Sequence, residues 1–143
     1  MSLSILVASA ALGMAAQPVH TTQLEHRGST YRVDYRPHVE TSFRTIGMAA
    51  GTRPSTQRCV VTANVSVERV IGEASGRELK SMLPGQERFV EQLPGNCRGR
   101  EDSADKLIAG KASSLAAHLN RAAAEDRPAA LAAIDAAHHF ASN

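Results

Sequence analysis

Apolar and polar residues alternate with a period of two through most of this chain, and with a period near 3.6 through its last third. Over residues 29–36, Tyr31, Val33 and Tyr35 interleave with Arg32, Asp34 and Arg36. Successive strand side chains point to opposite sides, so this pattern predicts a strand with one buried and one wet face. Residues 39–48 continue it with Thr41, Phe43 and Thr45 on one parity, and Pro37 predicts a break between two strands. Gly51-Thr52-Arg53-Pro54-Ser55-Thr56 is turn chemistry. The clearest strand then places Cys59, Val61, Ala63, Val65 and Val67 on one face and Thr62, Asn64, Ser66 and Glu68 on the other. Val60 strays to the polar side, and Val70-Ile71 predict a bulge or bend. A fourth strand is expected over residues 87–93, between Pro84-Gly85 and Pro94-Gly95. Short strands joined by short turns favour an antiparallel meander.

From Ser103 the period changes. Ile108, Ala112, Leu115, Leu119 and Ala122 form one helical stripe, with Asp102 or Ser103 as N-cap and Asp105 in the first turn, where it complements the helix dipole. Asp126-Arg127-Pro128 reads as a second helix start, since Pro is tolerated in a first turn. Leu131, Ile134, His138 and Ala141 repeat beyond it. The expected fold class is therefore α+β: an antiparallel sheet of about four strands, then a C-terminal Ala-rich helix hairpin packed on it.

The chain has 143 residues. Residues 1–16 carry no charged side chain, and Gly13, Ala15 and Ala16 lie where a signal peptidase would cut, which predicts a secretory signal peptide. Only the initiator amine is positive ahead of the apolar run, so the basic element of such a signal is minimal or lies upstream. The run is shorter than the roughly 20 apolar residues a membrane-spanning helix needs. The expected organisation is a signal over 1–16 and one α+β domain over 17–143, mainly β over 17–97 with two helices over 103–141. No transmembrane span is expected after signal removal. Of the 16 basic residues only Lys80, Lys106 and Lys111 are Lys, and Ala is abundant. That bias fits a GC-rich bacterial genome, which would make the compartment periplasmic, or otherwise extracellular.

An oxidising compartment gives meaning to Cys59 and Cys97, the chain's two cysteines. They lack the Cys-x-x-Cys spacing of redox sites and predict one structural disulfide. In a chain with five aromatic residues and an Ala-heavy apolar fraction, such a bond supplements a thin core.

Catalytic templates fail. There is no Gly-x-Ser-x-Gly elbow, no Gly-rich phosphate loop ending in Lys-Ser or Lys-Thr, and no His-Glu-x-x-His. No cofactor is expected. Two constellations remain. Arg27, Arg32, Arg36, Arg44, Arg53 and Arg58 outnumber Asp34 and Glu40 between residues 27 and 58. Arg32 and Arg36 share a strand face that could contact an acidic protein or an anionic envelope surface. No nucleic-acid motif accompanies them, and the aromatics do not interleave with Arg on one face, so no nucleic acid is expected. The second constellation is Asp135, His138 and His139, spaced to share a helix face and of ligand types suited to Zn²⁺, though without a marked third or fourth ligand at motif spacing. The pattern thus implies a small exported interaction or structural module without a catalytic site. The alternative is a metal-binding protein or metal-assisted hydrolase built on Asp135, His138 and His139.

Overall fold

The structure, a computed structural model, describes residues 17–142. The expected signal peptide falls on residues 1–16, outside the described residues. Five strands and two helices follow in order: β1 (His20–His26), β2 (Ser29–Ile46), β3 (Arg58–Gly72), β4 (Glu78–Met82), β5 (Glu87–Pro94), α1 (Ser103–Gly110) and α2 (Ala112–Ala141). All strand pairings are antiparallel, in the order β1-β2-β3-β4. β5 returns to the same edge of β3 as β4, pairing with its first half while β4 pairs with its last turn of residues. The fold is α+β, as the periodicity predicts.

The details differ in instructive ways. Pro37 does not divide β2, whose register against β3 runs unbroken from Arg32↔Gly72 to Ile46↔Arg58. β1 pairs β2 only as far as Tyr35, so Pro37 lies where the other side of β2 has no neighbour among the described residues, a setting that tolerates Pro. The same unbroken register leaves no bulge at Val70-Ile71. β1 and β4 carry little apolar content, and the turns around them position them. Arg27 and Gly28, both at positive φ, make the two-residue reversal between β1 and β2. At the β2–β3 turn Gly47 is required: at φ 86 a Cβ would lie 2.5 Å from the Thr56 carbonyl oxygen.

The helical half is not the expected hairpin. α1 ends at Gly110, and α2 then runs 30 residues through Asp126-Arg127-Pro128 without a break. Its buried seam is Leu115, Leu119, Ala123, Asp126, Ala130 and Ile134, a continuous helical stripe that outlasts the proline. Pro128 and Ala124 are both exposed, so water can satisfy the Ala124 carbonyl that loses its intrahelical donor. Asp102 is the N-cap residue of α1 but makes no side-chain cap bond; its carboxylate accepts from Lys106 Nζ instead.

Both helices pack on one face of the sheet. Leu24, Tyr31, Val33, Tyr35, Val67 and Ile71 meet Leu119, Ala123, Ala130 and Ile134 of α2. Toward the other end, Cys59, Val61, Ala63, Val65 and Phe89 meet Ala104, Leu107 and Leu115. The Cys59–Cys97 disulfide closes over this second cluster. Among the described residues, the opposite face of the sheet has no helix on it.

Candidate functional site

The bare face of the sheet displays the arginines singled out by the sequence. On β2 the outward row reads Arg32, Asp34, Arg36, His38, Glu40, Ser42 and Arg44. Arg32 Nε donates to Asp34 Oδ1 at 3.0 Å, Arg36 Nη2 donates to Asp34 Oδ2 at 3.2 Å, and the Thr21 hydroxyl donates to Oδ1 at 2.8 Å. Burial opposes ionisation of Asp34, but the hydrogen bonds from Thr21, Arg32 and Arg36 outweigh it and hold its pKa below the ordinary carboxylate value. The Asp34 side chain is 11 % exposed, while those of Arg32 and Arg36 are 68 % and 39 % exposed. One sunken carboxylate thus fixes two outward guanidinium groups, each with N–H donors left over. Arg27 is diverted elsewhere, donating from Nε to Asp135 at 2.6 Å.

Asp135, His138 and His139 sit near the end of α2 and face different neighbours. Asp135 Oδ1 accepts from His26 Nε2 at 2.8 Å as well as from Arg27, and these two hydrogen bonds hold its pKa below the usual carboxylate value. The Tyr31 hydroxyl lies 2.7 Å from His138 Nε2. His139 is exposed and stacks edge-on against Phe140. Among the described residues, no group of three or more His, Cys, Asp or Glu is arranged to hold a metal ion. The shared helix face becomes two latches that join the helix end to the β1–β2 hairpin.

Two features escaped the sequence reading. The first is a buried network between sheet and helix. Tyr35 and Arg69 are register partners on β2 and β3, and both reach Asp126 of α2. Arg69 Nη1 lies 2.9 and 3.0 Å from the two carboxylate oxygens, and the Tyr35 hydroxyl donates to Oδ2 at 3.1 Å. Burial, followed by the negative charge of Asp126, pushes the Tyr35 phenol well above its ordinary pKa. Arg69 was legible in one respect: it shares the parity of Val65, Val67 and Ile71, so a charge was due to land on the core face. The second feature is a cavity of about 400 Å³ between the β4–β5 turn and α2, lined by Leu83, Pro84, Glu87, His118, Arg121 and Glu125 among others. Both ring nitrogens of His118 are buried without a hydrogen-bond partner among the described residues; Glu87 Oε2 stands off at 3.6 Å from Nδ1.

Comparison of the chain with protein-family models, with curated proteins and with solved structures finds no match.

Proposed function

We propose that this chain is an exported, disulfide-braced, non-catalytic interaction module whose contact surface is the bare sheet face around Arg32 and Arg36, and whose partner is an acidic protein surface. The observation that carries this reading is the Arg32–Asp34–Arg36 clamp. Asp34 consumes one donor from each guanidinium and orients both outward, leaving further N–H groups for bidentate contact with carboxylates. Their register neighbours on this face include Thr21, Gln23, Glu68 and, one strand further, Lys80, a mixed polar and charged surround that suits a protein surface better than insertion into lipid. Export is supported by the uncharged segment over residues 1–16 and by the Cys59–Cys97 bond, because disulfides persist in oxidising compartments. No helix among the described residues is long and apolar enough to cross a membrane.

The test is capture from the host's envelope extract by the immobilised protein and by a charge-neutral triple variant, Arg32→Gln, Asp34→Asn and Arg36→Gln. Replacing all three avoids stranding Asp34 without its partners. The variant is expected to stay folded by circular dichroism and to lose a salt-sensitive acidic partner. Equal capture by both proteins would overturn the surface assignment, and binding to anionic phospholipid vesicles instead would replace the protein partner with a membrane. Intact mass of the natively produced protein tests export: a chain lacking residues 1–16 is expected, and a full-length chain would refute it.

A further inference from the structure

The second half of β2 presents a sheet edge with an internal symmetry. β1 pairs β2 through Tyr35 and no further, whereas β3 pairs it along its whole other side to Ile46. Over residues 36–46 one edge of β2 therefore has no strand beside it among the described residues. Every residue from Glu40 to Ile46 is exposed, including Phe43 at 37 %. A bare edge of this length is a template for another strand.

Its charges say which strand. Glu40 and Arg44 lie on the same face of β2, about 13 Å apart along the strand, and neither has an ion-pair partner among the described residues. Across β3 their register neighbours are Asn64 and Val60, both uncharged. The two charges stand symmetrically about Ser42. If a second β2 runs antiparallel beside the first with Ser42 opposite Ser42, Glu40 of each copy faces Arg44 of the other, so the pair forms twice. On the helix-side face the same register sets Phe43 beside Thr41 of the second copy, again twice, and Val39 beside Thr45. Directly opposed unlike charges and aromatic–Thr pairs are favourable cross-strand neighbours. Charges of one sign at these positions would repel a second copy, whereas Glu40 and Arg44 are of opposite sign and complement it.

We infer that the occupant of this edge is a second copy of the chain, forming a two-fold dimer by antiparallel β2–β2 pairing centred on Ser42. The contact is isologous and closes on itself, because each copy uses its one bare β2 edge. The result is a sheet continuous across both copies, with all helices on one face and the Arg32–Asp34–Arg36 clamps on the other. Because the contact uses the β2 edge and not Arg32 or Arg36, it goes beyond the function proposed above and can fail independently of it.

Sedimentation equilibrium of the purified protein tests the dimer, with three companions: Glu40→Arg, Arg44→Glu, and an equimolar mixture of these two variants. Wild type is expected to show a concentration-dependent monomer–dimer equilibrium. Each single variant places like charges opposite each other at both sites and is expected to dimerise about tenfold or more weakly. In the mixture each introduced charge meets its opposite, so heterodimers are expected to form with affinity near that of wild type. Circular dichroism confirms that the variants are folded, and the mixture guards against a trivial loss of structure. A wild type that stays monomeric up to about 1 mM overturns the inference. So do single variants that dimerise like wild type, or a mixture that stays monomeric.

Discussion

Arg69 of β3 holds Asp126 of α2 through a single nitrogen, Nη1, poised 2.9 and 3.0 Å from the two carboxylate oxygens, with both side chains more than nine-tenths buried. The pair fixes the rotation of α2 on the sheet, since Asp126 sits midway in the seam from Leu115 to Ile134. Arg69 Nε has no partner among the described residues in the same buried setting, so the arrangement is not optimised for stability alone. Removing one partner strands a charge; removing both does not. Asp126→Ala is expected to destabilise the protein by about 3–5 kcal/mol, and Arg69→Met with Asp126→Leu to cost far less or to stabilise. Urea unfolding of the single and double variants checks this. A double variant as unstable as the single one would show that the ion pair itself contributes net stability.

Tyr35 completes that network and gives it a pH dependence. Its folded pKa is raised above the ordinary phenol value of 10.0 by burial and by the charge of Asp126. A raised pKa means the folded state keeps a proton that the unfolded state releases. The stabilisation is thus fully present below pH 10 and declines as pH rises beyond it, toward the folded pKa. The measurement is urea midpoint against pH from 8 to about 11, for wild type and Tyr35→Phe. Wild type is expected to lose stability above pH 10 more steeply than the variant. The variant should start lower by about 1 kcal/mol for the lost hydroxyl bond. Parallel curves would mean that Tyr35 ionises freely.

The Cys59–Cys97 bond, between residues 38 apart in sequence, ties the start of β3 to the segment leading into α1. In the chain-entropy model closing such a loop removes about 4 kcal/mol of denatured-state freedom. Cys59→Ser with Cys97→Ser is expected to lower stability by about that amount, enough to leave a domain of this size marginal. Thermal melts with and without reductant provide the check. A reductant-insensitive melt would mean the core under α1 carries this end of the sheet alone.

How far the sequence foretold this molecule depends on where apolar residues alternate. β2, β3 and β5 were legible because Tyr31, Val33 and Tyr35, the Cys59-to-Val67 row and Phe89 are all core residues. β1 was invisible because Leu24 is its one fully buried side chain; pairing and the Arg27-Gly28 reversal hold it in place. β4 lacks any fully buried side chain. Of the candidate surface, Arg32 and Arg36 stand on the face expected of them. Their clamping by the single Asp34 carboxylate is not marked by any motif, although the alternation already places all three on one parity. His118 and the Tyr35–Arg69–Asp126 network could not be read from spacing, because they join residues 31 to 91 positions apart in sequence across two layers.

Pro128 is where local propensity and tertiary packing disagree. Inside a helix a proline forfeits one hydrogen bond and clashes with the preceding turn, at about 3 kcal/mol relative to Ala. Here the helix nevertheless continues, because the seam on either side is anchored: Ala123 and Asp126 before it, Ala130 and Ile134 after it. Pro128→Ala should therefore stabilise the protein. The restored amide bonds the Ala124 carbonyl, while the unfolded chain regains about 0.4–1 kcal/mol of freedom, leaving a net gain of about 2 kcal/mol. The expected result is a higher urea midpoint with an unchanged denaturant slope. A loss of stability would give Pro128 a positive role: its distortion of α2 would be what brings Asp126 onto Arg69. Repeating the substitution alongside Arg69→Met and Asp126→Leu would then remove the penalty, because no ion pair would remain to be aligned.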